Sequence, residues 1–132
     1  MNAFESGARF ERYVLERLID DTGRAQVWSA RDAALGRLVA LKLRRIDGDA
    51  DSASILAQFE HEARLAARAD HPGVVPIYEV GTHDGFAYLA ARFIPGRTLS
   101  DWLPSQRRLS GAAVRILLLQ VAGALDHAHR LG

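Results

Sequence analysis

The seven residues RLVALKL, Arg37 to Leu43, decide the reading of this chain. Side chains alternate across a pleated strand, so Val39, Leu41 and Leu43 share one face while Ala40 and Lys42 share the other. Taken alone, the pattern is a half-buried strand with a lysine on its solvent side. Its neighbours supply a context. YVLERLI (Tyr13 to Ile19) and AQVWSAR (Ala25 to Arg31) alternate more loosely ahead of it. The linkers DDTGR and DAALGR carry the Asp and Gly that turns favour, so the three segments read as an antiparallel meander.

Beyond this strand, DGDADS breaks the alternation and the period changes. From Ser52 or Ser54 to about Ala69, Ile55, Phe59, Ala63 and Ala66 recur at four- and three-residue steps, which predicts an amphipathic helix with serine or aspartate available as N-cap. DHPG ends it, because Pro72 disfavours helical backbone just before itself. Two further strands follow, VVPIYEV (Val74 to Val80) and FAYLAARF (Phe86 to Phe93), joined by the loop GTHDG. IPGRT is a connector, LSDWL a single helical turn stopped by Pro104, and Ser110 to Leu131 a long helix with Gly132 placed to cap it. The order predicts an α+β fold: a five-stranded antiparallel sheet with one helix packed on it, then further helix.

The last helix has no evident partner. Its stripe of Val114, Leu117, Leu118, Val121, Leu125 and Ala128 includes five large aliphatic side chains. Each would forgo roughly 1.5–3 kcal/mol of burial if left in water. The expectation is that its partner lies beyond Gly132, the chain being a piece of a larger protein. The isolated piece is then expected to be unstable or to self-associate through residues 110–131.

Composition excludes several classes. The 132 residues suit one domain or part of one. With 48% hydrophobic and 25% charged residues and a net charge of +1, the chain reads as an ordinary globular one without the field of a nucleic-acid or anionic-membrane binder. It has no cysteine, which removes disulfides, thiolate zinc sites and a Cys nucleophile. The N-terminus lacks the apolar core of a signal peptide, and no run of about 18 apolar residues is present. HEARL puts leucine where a zinc-protease motif needs its second histidine. His127 and His129 lie about 200° apart around a helix, so they do not share a metal. The Arg44–Arg45 and Arg107–Arg108 pairs are too short for nucleic-acid patches, and Trp28 and Trp102 read as packing residues.

VALK at the end of the third strand, FEHEAR in the helix and HPGVVPIYEVG after it together resemble the N-terminal half of a protein kinase domain. The likeness is strongest to the bacterial serine/threonine kinases of eukaryotic type and runs from about Phe10 to Gly132. It implies a tail at residues 1–9, a small lobe at 10–93, a hinge at 94–99 and the start of a large lobe at 100–132.

The resemblance also implies roles. Lys42 would hold the α- and β-phosphates of ATP, and Glu62 would anchor Lys42. Ile19, Val27 and Ala40 would roof the adenine. Ala91 would guard the back of the pocket, Arg92 and Ile94 would offer backbone groups to the adenine edge, and Asp101 would sit near the ribose. Magnesium would be held mainly by residues outside this chain. LDHAHRLG resembles the helix end that precedes the catalytic loop, and the family's later motifs are not found in these residues. The implied function is the ATP-binding portion of a cytoplasmic kinase that phosphorylates protein hydroxyls. A pseudokinase acting as a binding module is the alternative, and an unrelated α+β binding domain a third.

One departure stands out. Counting back from Val27, the loop pattern G-x-G-x-x-G-x-V puts its glycines at Asp20, Thr22 and Ala25, with Gly23 one place late. Glycine lets backbone N–H groups approach phosphates with no Cβ in the way. A carboxylate about 6–8 Å from a phosphate charge costs roughly 1–3 kcal/mol at an intermediate dielectric. That predicts ATP affinity weakened by about ten- to a hundredfold.

Overall fold

The computed structural model describes residues 4–46, 48, 51–105 and 110–131. The strands are β1 (Arg9–Phe10), β2 (Tyr13–Asp21), β3 (Ala25–Asp32), β4 (Arg37–Arg45), β5 (Ile77–His83) and β6 (Phe86–Arg92). The helices are α1 (Ser52–Arg68), α2 (Leu99–Trp102) with a 3₁₀ turn at Leu103–Ser105, and α3 (Gly111–Arg130). The strands form one antiparallel sheet in the order β1-β2-β3-β4-β6-β5.

The sixth strand corrects the expected five. Glu11 turns the chain with φ 52°, which lets Phe10 pair with Tyr13 and Arg9 with Val14. A two-residue strand shows no period in sequence; it forms because Phe10 is drawn into the core. Residues 4–8, read as tail, join it: the Phe4 ring stands 5.7 Å from Phe10 and 5.0 Å from Phe86. β5 starts at Ile77, three residues later than the alternation suggested. Gly73 and Val74 direct their amides back to the His71 ring and carbonyl, and Pro76 has no amide to give. Pro104 lies inside the 3₁₀ turn and does not stop the helical segment before it. The expected cap at Gly132 is outside the described residues.

The two faces of β4 divide the molecule. Val39, Leu41 and Leu43 are fully buried, packed with Phe10, Tyr13, Leu15, Trp28, Ala30, Phe86, Tyr88 and Ala90 inside the curl of the sheet. On the opposite face α1 lays Ile55 and Phe59 over Ala87 and Leu89. Burying that pair contributes about 3–6 kcal/mol at most.

A polar cluster joins β2, β3, β5 and β6. Arg12 meets Asp32 at 3.3 Å and Glu79 at 2.7 Å. Glu79 accepts hydrogen bonds from Tyr13 Oη at 2.6 Å and Tyr88 Oη at 3.0 Å. Burial, with the bonds to Glu79, pushes both phenols up. Burial alone would raise the Asp32 carboxyl too, but N–H bonds from Leu35 and Ala34 and the contact with Arg12 outweigh it, holding the group below the usual carboxylate range.

α3 is capped by Ser110, whose hydroxyl accepts from the Ala113 amide at 3.1 Å. It is tied to α1 at one end, where Arg68 Nη2 donates to the Leu131 carbonyl at 2.6 Å. Gly73 meets Ala124, and the rings of His71 and His127 stand 5.4 Å apart. Leu65, Ala66, Val75 and Ile77 face Val121 and Leu125 across a cavity of about 660 Å³. No described residue of α3 is buried, and Ile116, Leu118 and Leu119 are more than half exposed. By length and a mean hydropathy of 1.2, α3 has the dimensions of a membrane span, although no unbroken apolar run underlies it.

Because Asp32 is harder to protonate folded than unfolded, it stabilises the fold above the unfolded value of about 4, and that contribution is lost as pH falls through the lower folded value. Asp32→Asn should cost about 1–3 kcal/mol at neutral pH and flatten the loss of stability below about pH 4 in urea titrations. An acid limb as steep as in the unaltered protein would refute the assignment. A Cβ at Gly73 would stand 2.7 Å from that of Ala124, so Gly73→Ala should cost about 1–3 kcal/mol by thermal unfolding. At Gly123 the nearest described atom is 3.8 Å away, and Gly123→Ala should be neutral or stabilising by up to about 1 kcal/mol.

Candidate functional site

The α1 side of the sheet carries three cross-strand rows. Ala25, Arg44 and Ala87 are opposite one another, then Val27, Lys42 and Leu89, then Ser29, Ala40 and Ala91. α1 covers the β6 end of these rows through Ile55 and Phe59. The β3 end stays open beneath the β2–β3 loop, where a cavity of about 330 Å³ is lined by Asp20, Thr22, Arg24, Ala25, Val27, Lys42 and Arg44.

The loop is closed by its own side chains. Gly23 takes φ +80°, a backbone conformation glycine adopts without a steric cost. Its amide donates to Asp21 Oδ1 at 2.8 Å. The Ala25 amide donates to Thr22 Oγ1 at 3.2 Å, and the Thr22 amide to the Ala25 carbonyl at 3.1 Å. Asp21 Oδ2 accepts from Gln26 Nε2 at 3.0 Å, and Gln26 Oε1 from Trp28 Nε1 at 3.1 Å, so a hydrogen-bonded chain runs from the loop into the core. The Gly23 amide, then Gln26, hold the Asp21 carboxyl below its ordinary range. Of the two adjacent acids, only Asp20 lines the cavity.

Lys42 is half-buried, its Nζ 5.4 Å from the centroid of Phe59, a cation–π separation. Glu62 lies one turn further along α1, exposed, lining the apolar cavity toward α3. No ion pair joins Lys42 and Glu62. The Ile55 and Phe59 contacts set the pose of α1, and in that pose the ammonium meets an aromatic ring.

The remaining expected residues sit around this end of the sheet. Ile19 falls at the irregularity between the Leu18–Trp28 and Asp20–Val27 pairs and is 43% exposed. Ala40 lies directly across from Ala91. The Arg92 amide donates to the Pro76 carbonyl at 3.0 Å, so that amide is already engaged. Ile94 is exposed on the connector after β6. Asp101 gives its amide to Thr98 Oγ1 at 3.1 Å, within the short helix α2. Sequence reasoning missed Phe59 as the neighbour of Lys42 and passed over Arg44 as a lining residue. Arg44 was legible, since it stands two positions from Lys42 on the same strand.

The chain matches the protein kinase domain family over residues 13–132. It is 33% identical over 119 residues to the serine/threonine-protein kinase PrkC of Bacillus subtilis, covering 90% of this chain and 18% of that protein. It is 36% identical over 128 residues to the serine/threonine-protein kinase PknE of Mycobacterium bovis, covering 96% of this chain and 22% of that one. Among solved structures it resembles the Mycobacterium tuberculosis PknI kinase domain with a TM-score of 0.80 at 26% identity, covering 98% of this chain and 52% of that one. It thus spans about a fifth of those relatives and about half of that kinase domain.

With Asp21→Ala, the Gly23 amide should exchange with solvent faster while the Leu41 amide is unaffected, measured by NMR hydrogen exchange. Equal Gly23 rates in the two proteins would contradict the self-bonded loop.

Proposed function

The chain belongs to the protein kinase domain family, and on that premise we propose that its protein is a serine/threonine kinase that moves the γ-phosphate of ATP to hydroxyls of protein substrates. The observation that carries the reading is the cavity under the β2–β3 loop. Among the described residues, it joins Lys42 to two arginines against one carboxylate, Asp20, with Val27 beside them. Such a lining suits a polyphosphate next to an apolar ring.

Within this reading Val27, Ala40 and Ile19 cover the adenine, and Ala91 closes the back. Arg92 offers its carbonyl, Ile94 its backbone and Asp101 a ribose contact. Lys42 orients the phosphates. Glu62 becomes its anchor when α1 turns inward and exchanges the Phe59 contact for a carboxylate, which makes the pose of α1 a switch. Magnesium would supply neutralisation of charge on the transferring phosphate, and residues mainly outside this chain would hold it. Residues 10–93 act as small lobe, 94–99 as hinge and 100–132 as the first part of a large lobe. The exposed stripe of α3 is assigned to contact with the rest of that lobe. In the 132-residue piece by itself it would drive self-association, and a clean folded monomer on sizing chromatography counts against this. A cytoplasmic kinase domain is consistent with these assignments.

The full-length protein should bind ATP in a magnesium-dependent manner and label serine or threonine of a generic substrate from γ-labelled ATP. Lys42→Met should lower the rate by about 10²–10³-fold, the range seen when a single transition-state donor is lost. No binding at millimolar ATP sinks the kinase reading.

A further inference from the structure

We propose that the nucleotide phosphates in the site assigned above are gripped by the side chains of Arg24, Lys42 and Arg44, and not by the amides of the β2–β3 loop. The inference rests on the kinase reading and deepens it. The first observation is the occupancy of the loop. The amides of Thr22, Gly23 and Ala25 already bond to the Ala25 carbonyl, Asp21 Oδ1 and Thr22 Oγ1, at 3.1, 2.8 and 3.2 Å. A phosphate reaching for them would first have to break these bonds, one of them charge-assisted.

The second observation is the placement of cations. Arg44 stands opposite Ala25 and Lys42 opposite Val27, so both leave the sheet on one face, about 6.6 Å apart along the strand. Arg24 comes from the loop above, and all three line the same cavity. Against Asp20, the only acid among the described lining residues, the three described cations leave a charge of 3 − 1 = +2. None of the four forms an ion pair with another described residue. The guanidinium fork matches two oxygens of one phosphate in a fixed planar geometry, which the rotatable donors of an ammonium lack. The positive field that amides supply in a glycine-lined loop thus comes from longer, jointed donors. These tolerate the Cβ atoms of Asp20, Thr22 and Ala25, because the backbone need not approach the ligand.

The test is calorimetric titration of the full-length protein with adenosine, ADP and ATP. Arg24→Ala and Arg44→Ala should each weaken ATP by about tenfold and leave adenosine unchanged, with the lysine replacements recovering part of the loss. Arg44→Gln, which keeps most of the aliphatic stem, serves if Arg44→Ala does not fold. Both variants binding ATP like the unaltered protein, or Asp21→Ala tightening ATP by freeing the Gly23 amide, would overturn the proposal and leave the kinase reading standing. If adenosine and ATP both fail to bind the unaltered protein, the kinase reading falls and this inference with it.

Discussion

Everything in this chain depends on the pleat of β4. Alternation along one strand serves two interiors that must not mix. Val39, Leu41 and Leu43 are sealed in the curled side of the sheet, so the strand cannot slip by one residue without driving Lys42 into an aromatic core. A bare ammonium there would face a desolvation cost of several kcal/mol. The same cost, in reverse, holds the register. With it held, Ala40, Lys42 and Arg44 must emerge together on the other face, and the flanking strands bring Val27 and Ala91 beside them.

The second constraint is α1. The helix is anchored through Ile55 and Phe59, and this contact both completes the core and decides what Lys42 sees. A cation–π contact contributes about 0.5–2 kcal/mol, comparable with a part-exposed ion pair. On the proposed kinase reading, an exchange of Phe59 for Glu62 as the partner of Lys42 would therefore be close to balanced. Small changes in what packs on the Glu62 side, including the cavity shared with α3, have leverage over it. α3 is tied to the end of α1 by the Arg68–Leu131 bond and meets the following loop at Gly73.

Much of this was legible in the sequence, and the rest has identifiable physical reasons. The strands and helices that repeat a period over six or more residues were read correctly in type and nearly in extent. β1 was not, because two residues carry no period and its formation depends on Phe10 meeting rings from β5 and β6. The late start of β5 reflects loop chemistry at His71 and Pro76 that alternation does not register. The placement of Ala40 with Lys42 followed from the pleat alone, and Arg44 would have followed by the same rule. Lys42 beside Phe59, with Glu62 turned to α3, was beyond sequence reasoning, since it depends on how far a helix rolls over a sheet.

The β2–β3 loop shows why counting glycines misjudges a hairpin of this kind. Glycine matters where backbone must touch ligand, and that requires amides that are free to donate. Here Asp21 and Thr22 use those donors to close the turn, and Gln26 and Trp28 tie it to the core. Once the amides are bonded internally, a Cβ at positions 20, 22 or 25 no longer blocks an approach that is not made. The acids also separate in role: Asp21 stays charged but is turned to the Gly23 amide and Gln26, and among the described residues lining the cavity Asp20 is the one acid beside three cations. The residues that at first look like losses from a phosphate loop are, in this geometry, what keeps it shut. A loop held shut loses less conformational entropy when a ligand arrives beneath it, and that offsets part of what the missing amide contacts would have contributed.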